Sequence, residues 1–344
     1  MAERKTDMSR HADTAVSVKE NNPMTVDDSI CGNMHAAVDV IIPTYRPGRK
    51  FFRLLEMLEK QTVLPRKIIV INTEEKYLDA ASIESPRVEV HHIRKEEFDH
   101  GATRNLGVSY SDAAEAPYFL LMTDDAVPKD AHLIENLLAA FSRDAKIASA
   151  YGRQLPTEES GFDEVFARGY NYPAESRVKS LADLPALGIK TYFQSDVCCM
   201  YRRDVFDALG GFINHTIFNE DMIFACKVMH EGYKTCYAAE AEVYHAHHYS
   251  GLQQLHRNFD LGVSQADHPE VFAEVPSEGE GARMVLRNAA ALLKSGRHWL
   301  LLPLVYRSGC KLLGYRLGKA YRRLPAGMVR RLTMSPGYWR KELK

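Results

Sequence analysis

Between Val38 and Tyr151, short apolar runs rich in β-branched residues alternate with segments of helical periodicity, and this alternation narrows the fold more than any other feature. Val38 to Pro43 reads as a strand, Phe51 to Gln61 as a helix, and Lys67 to Asn72 and Val88 to Ile93 as strands. Thr103 to Tyr110 reads as a helix, Pro117 to Thr123 as a strand, Ala131 to Phe141 as a helix and Ile147 to Tyr151 as a strand. Such alternation predicts an α/β domain: a mostly parallel sheet flanked by helices on both faces. Ligands of these sheets gather beyond the carboxyl ends of the strands. Chemistry is therefore expected at Thr44 to Arg46, Asn72 to Glu74 and Thr123 to Ala126, each directly after a strand.

Past Tyr151 the alternation fades. Gln154 to Thr191 reads as a loop-rich insertion suited to an acceptor, followed by a helix over Glu220 to Glu231 and short strands at Tyr233 to Tyr237 and Glu242 to His247. This places the α/β domain at residues 37–265, after a polar leader, 1–36, expected to be disordered. Residues 266–344 read as basic amphipathic helices broken at Pro303, Pro325 and Pro336. The net charge of -1 conceals a polarised chain: from Ala282 onward there are 15 Lys and Arg against one acid, Glu342. A basic tail with Trp299, Tyr306 and Tyr321 suits the surface of an anionic bilayer, or packing on the acidic remainder of the chain.

The most apolar run, Trp299 to Tyr306, is far below the ~20 residues that span a bilayer. Six cysteines without a C-x-x-C pair, and no secretory signal, predict a cytoplasmic protein, peripheral at the inner face of the membrane if the tail binds lipid. The chain lacks the G-x-G-x-x-G turn of dinucleotide-binding dehydrogenases, and no nucleic-acid module accompanies the basic tail, so no nucleic-acid partner is expected.

Four segments carry chemistry. Asp124 and Asp125 end a hydrophobic strand, where two carboxylates can hold Mg²⁺ or Mn²⁺ or simply form an acidic turn. Glu220 and Asp221 open a helix whose macrodipole favours their ionised form, as a general base or as capping residues. His100-Gly-Ala-Thr-Arg104-Asn105 offers a helix N-terminus and a fixed cation to an anion, or is a plain loop-to-helix junction. In Tyr244-His-Ala-His-His, strand alternation puts His245 and His247 on one face, as metal ligands or solvated side chains.

In this order, from Val38 to Tyr249, the segments resemble the inverting glycosyltransferases of family 2, which have the GT-A fold. Pro43-Thr44-Tyr45-Arg46 matches the family's nucleotide-holding loop, Gly101-Ala-Thr-Arg104-Asn105 its G-x-x-R-N element, Asp124-Asp125 its metal motif and Glu220-Asp221 its base motif. The chain departs at Ile71-Asn72-Thr73-Glu74, where the family usually has acidic residues that read the base. The resemblance implies donor contacts from Thr44, Tyr45, Arg46, Glu74, Arg104, Asn105 and Asp124, with Asp125 and His247 on a divalent cation. It implies Asp221 as catalytic base and places Asp196 and Glu220 on the acceptor side. Asp196 is open between touching a sugar and capping its turn. Phe98-Asp-His-Gly-x-Thr-Arg-Asn with Asp125-Ala-Val-Pro128 is similar to the rhamnosyltransferase branch. That branch implies dTDP-rhamnose as donor, a glycan or lipid-linked acceptor and a role in surface polysaccharide synthesis. A catalytically silent sugar-nucleotide-binding or membrane-associated scaffold protein is the alternative.

Overall fold

The computed structural model of the chain describes residues 36–273, 275 and 278–342, so the leader expected over 1–36 lies outside them except for Ala36. In chain order the strands are β1 (Val38–Tyr45), β2 (Lys67–Thr73), β3 (Val88–Ile93), β4 (Tyr118–Met122), β5 (Val127–Pro128), β6 (Ile147–Leu155), β7 (Arg177–Lys179), β8 (Cys198–Arg202) and β9 (Lys234–Tyr244). They form one sheet in the order β3-β2-β1-β4-β8-β6-β9-β5, with β7 also on β9. β1 to β4 are parallel where they pair, β8 opposes β4 and β6, and β9 is parallel to β6 but antiparallel to β5 and β7. The sheet is thus mostly parallel, with β5, β7 and β8 running against the rest.

The helices of the sheet domain are α1 (Arg49–Leu58), α2 (His100–Ser109), α3 (Leu133–Phe141), α4 (Phe162–Asn171), α5 (Leu184–Leu187), α6 (Arg203–Ala208) and α7 (Glu220–His230). Two-residue alternation along β1 explains why both faces must be covered. Val38, Val40 and Ile42 pack with Phe51, Leu54 and Leu58 of α1 and with α3, while Ile41 faces Val108 of α2 and the α6 and α7 side. Each such fully buried side chain contributes about 1.5–3 kcal/mol. Asp39, the one charge within β1, is also buried, and it is matched by Arg66 at 2.9 and 2.5 Å and by the Ser111 hydroxyl at 2.6 Å.

Several segments differ from the sequence expectation. The insertion over 154–191 holds the end of β6, then α4, β7 and α5. Just after Asp196, expected on the acceptor side, comes β8, a buried strand between β4 and β6 that the alternation did not indicate. Its Cys-Cys-Met-Tyr sequence shows neither alternation nor β-branching, so nothing local marks it as a strand. The two short strands near the domain end are one, β9, kept continuous by a register shift opposite Gly152 and Arg153. Val127 and Pro128, past the Asp124-Asp125 turn, form the short strand β5 opposite Tyr244 and Val243.

The C-terminal region is helical: α8 (Gly251–Asp267), α9 (Pro269–Phe272), α10 (Glu278–Lys294), α11 (Leu301–Lys319), α12 (Ala326–Leu332) and α13 (Trp339–Glu342). Pro303 does not interrupt α11, because it sits in its first turn, where no intrahelical N–H bond is required. A Cβ on Gly314 would lie 2.1 Å from Leu255 O, and one on Gly318 2.1 Å from Phe259 O, so α11 meets α8 at backbone distance. The tail packs on the sheet domain through Arg307 with Asp163 at 3.1 Å, Arg340 with Glu96 at 3.2 Å, and Trp339 buried beside Ile217. It also leaves Trp299, Leu302, Val305 and Tyr306 outward, 60–79% exposed. No helix among the described residues is long and apolar enough to cross a membrane.

Candidate active site

A cleft of about 2380 Å³ lies over the carboxyl ends of β1 and β4. Its walls come from α4 and α7 of the sheet domain and from α8, α10 and α11 of the C-terminal region. Tyr45, Arg46, Arg104, Asp124, Asp125 and Asp196 line it, as do Glu220, Asp221 and His247; Thr44, Glu74 and Asn105 do not.

At the end of β1, Thr44 turns its hydroxyl to Asp124 Oδ2, 2.6 Å away, and so orients that carboxylate. Arg46 adopts φ 56°, a left-handed backbone unusual for a residue other than glycine, which swings its guanidinium over the Tyr45 and Tyr77 rings at 5.1 and 4.7 Å. It also donates to the Tyr77 hydroxyl at 2.8 Å. Glu74 is turned away: it accepts from the Lys95 N–H at 2.9 Å and pairs with Lys76 at 3.2 Å. Asn105 is likewise occupied, donating to Phe212 O and Asn214 Oδ1 and accepting from the Phe212 N–H. In this structure Glu74 and Asn105 support neighbouring loops and lie outside the residues that line the cleft.

The end of β4 places Asp125 against two imidazoles: His245 Nε2 at 3.4 Å and His247 Nδ1 at 3.7 Å. One ligand atom from each lies within 4.8 Å of the others. Both histidines follow β9 in an irregular segment and do not share a strand face as expected; the segment itself folds them onto Asp125. Gln154 Oε1, 2.9 Å from His245 Nδ1, fixes that ring. Burial works to raise the Asp125 carboxyl, but the His245 hydrogen bond and the two nearby imidazoles hold it well below the usual range. Burial raises Asp124 and, with His245 beside it, pushes His247 down to about 4, leaving a neutral ring able to donate a lone pair. One carboxylate and two imidazoles suit a first-row ion such as Mn²⁺ better than Mg²⁺, which prefers an all-oxygen shell.

The third group is carried by α7. Asn219, left-handed at φ 65°, donates to Ser264 of α8 at 3.0 Å, and Ser264 donates to Phe218 O at 2.7 Å; this latch fixes where Glu220 and Asp221 begin the helix. Arg104 lies between Glu220, 2.9 Å from Nη1, and Asp196, 3.1 Å from Nε. Asp196 accepts from the Tyr201 hydroxyl at 2.5 Å, and its N–H donates to Asp221 Oδ2 at 3.3 Å. Three carboxylates thus share one guanidinium. Glu220 is lowered, because Arg104 and His100 outweigh its burial. Burial and the Glu220 and Asp196 charges push Asp221 well above the usual carboxylate range. Against the sequence expectation that the helix dipole favours its ionised form, desolvation and like charge raise it. The anion site expected at the N-terminus of α2 is also taken, since Asp99 accepts from Ala102, His215 and Thr216 N–H groups.

Residues 39–210 match the family described as glycosyl transferase family 2. The chain is 39% identical over 305 residues to the O-antigen chain rhamnosyltransferase RfbN of Salmonella typhimurium strain LT2, covering 88% of this chain and 96% of that one.

It belongs to glycosyl transferase family 2.

This family 2 glycosyltransferase is also 36% identical to the O-antigen chain rhamnosyltransferase WbaN of Salmonella anatum, over 87% of this chain and 95% of the relative. Its fold is that of the mannosyltransferase PcManGT from Pyrobaculum calidifontis, solved with GDP-Man and Mn²⁺: TM-score 0.54, 15% identity, 83% of this chain and 86% of that one. Sequence reasoning selected His247 and left out His245, although the two-residue spacing offered both. It offered packing of the tail on the rest of the chain but did not place Arg257, Lys311 or the α10 and α11 wall at the cleft, because nothing in the order of motifs says where the tail would sit.

Proposed function

We propose that the chain transfers rhamnose, with inversion, from a dTDP-linked donor to a hydroxyl of a surface-polysaccharide intermediate. Asp221 acts as base, and Asp125, His245 and His247 hold a divalent cation. The observation that carries this reading is the near full-length similarity to a protein named as an O-antigen chain rhamnosyltransferase. When bound, the cation supplies Lewis-acid neutralisation of the leaving diphosphate. Tyr45 and Arg46 flank the nucleotide, and Thr44 keeps Asp124 turned toward the donor.

Asp221 takes the acceptor proton as the acceptor oxygen bonds the anomeric carbon and the bond to the diphosphate breaks. A carboxylate raised toward the working pH is a better base than an ordinary one, provided it is ionised when the acceptor arrives. Arg104 keeps Glu220 and Asp196 in place behind it, and the α10 and α11 wall shields the cleft from bulk water.

The outward side chains Trp299, Leu302, Val305 and Tyr306, with Arg307 beside them, support contact with an anionic membrane, where a lipid-linked acceptor would be met. This supports a peripheral position at the inner membrane face. Sedimentation with anionic liposomes, abolished in Trp299→Asp/Leu302→Asp, is expected; a protein that never sediments at low salt contradicts it. For the donor, a panel of sugar nucleotides with Mn²⁺ should give the largest thermal stabilisation with dTDP-rhamnose. Stronger stabilisation by another sugar nucleotide rejects the rhamnose assignment, and donor binding without any turnover favours a silent binding protein.

A further inference from the structure

Where α4 meets α8 and α11, the cleft wall carries more positive charge than its own partners require. Arg168, Arg257, Arg307 and Lys311 all line it, against Asp163 and Glu164. Asp163 is held by Arg307 at 3.1 Å and Asn288 at 3.3 Å, and Glu164 by Arg168 at 3.4 Å and the His247 N–H at 3.0 Å. Arg257 and Lys311 form no salt bridge with any described residue: Arg257 lies over the Phe218 ring at 4.8 Å and the Tyr249 ring at 5.7 Å, and Lys311 is half-buried. Four cations against two carboxylates leave two positive charges unmatched.

A half-buried ammonium without a paired carboxylate is costly: burial lowers Lys311, the Asp163 and Glu164 charges offset this only in part, and the Arg307 and Arg257 charges lower it further. Close packing makes the arrangement rigid. Gly314 and Gly318 let α11 touch the backbone of α8, so Lys311 on α11 and Arg257 on α8 cannot drift apart. Arg257 is also near enough to His247 and to Glu220 to perturb both. Arg257 therefore faces the ground between the metal triad and the base, and Lys311 stands near it on α11.

We propose that Arg257 and Lys311 form a diphosphate-binding cation pair, supplied to the active-site cleft by the C-terminal helices. Two fixed cations match the charge and the two-centre shape of a diphosphate, with Arg257 able to donate two parallel hydrogen bonds and Lys311 acting as a point charge. The diphosphate is either that of the donor or one carried by the acceptor. This deepens the transferase reading above and rests on it.

Calorimetry on the full chain with Mn²⁺ separates the sources. Wild type, Arg257→Met and Lys311→Met are titrated first with dTDP and UDP. Inorganic pyrophosphate is then titrated into protein saturated with whichever nucleotide binds. At least a 10-fold weaker nucleotide affinity in both variants assigns the pair to the donor diphosphate. Unchanged nucleotide binding, with a saturable pyrophosphate site that wild type has and both variants lack, assigns it to the acceptor. Wild-type behaviour of both variants in both titrations overturns the proposal. Failure of the rhamnosyl-transfer reading is distinct: it appears as no product from dTDP-rhamnose, whereas these titrations read any nucleoside diphosphate and free pyrophosphate. Circular dichroism melts of both variants confirm that a lost signal is not lost folding.

Discussion

Replacing Arg104 by Met removes the only cation in salt-bridge contact with Asp196 and Glu220 among the described residues, and both the fold and the pH dependence of catalysis should register it. The guanidinium is 10% exposed and its partners 2% and 7%, so solvent gives little compensation. Removing one member of such a buried set typically costs about 3–5 kcal/mol. At ~2–4 °C per kcal/mol, the melting temperature should fall by about 6–20 °C.

The sign with pH follows from the direction of the shifts. Asp196, pushed up to about 7 mainly by burial, and Asp221, raised by burial and by the Glu220 and Asp196 charges, both have folded-state values above the ordinary 3.8. Their contribution to stability is therefore present at acid pH and lost as pH rises through the folded values. Arg104 limits that loss, so Arg104→Met should be more destabilising near about pH 8 than near about pH 5. Arg104 also lowers Asp221, so the acid limb of kcat/KM should move to higher pH in Arg104→Met and much less in Arg104→Lys. Melts at both pH values and a pH profile of transfer check both effects. A variant with wild-type melting at each pH and an unmoved acid limb refutes a role for Arg104 in holding the carboxylate cluster.

Asp221→Asn should leave nucleotide binding intact by calorimetry while turnover falls by about 100- to 10,000-fold. In wild type, transfer should decline as pH drops through the raised value of Asp221, because only its ionised form accepts the proton. His245→Ala and Asp125→Ala should each lose Mn²⁺ binding in electron paramagnetic resonance titrations, and activity should vanish in chelator and return with Mn²⁺. Gly318→Ala drives a methyl into Phe259 O, and overpacking of this kind costs about 1–3 kcal/mol, read as a lower melting temperature. A melt unchanged by Gly318→Ala would mean that α8 and α11 are not held at backbone distance.

The parallel half of the sheet was legible because β1, β2 and β4 are largely apolar and run into polar residues that mark the cleft rim. Asp125 and Asp221 were legible from order along the chain: strand end first, helix start much later. What failed needed three dimensions. β8 carries Cys, Met and Tyr, which suit a buried strand as readily as a helix, and its status comes from pairing with β4 and β6. Asn105 and Arg104 are adjacent in the motif, yet one turn of α2 sends Arg104 to Asp196 and Glu220 and Asn105 to the Phe212 loop. The protonation of Asp221 depends on Asp196, 25 residues away in sequence, and local helix-dipole reasoning cannot see that charge.

Purified enzyme incubated with dTDP-rhamnose, Mn²⁺ and a lipid-linked glycan acceptor should release dTDP and yield one rhamnosylated product, whose anomeric configuration, read by nuclear magnetic resonance, is opposite to that of the donor. Asp221→Asn should give none above background while still binding dTDP. Product with retained configuration, or near-normal yield from Asp221→Asn, would contradict in-line displacement with Asp221 as its base.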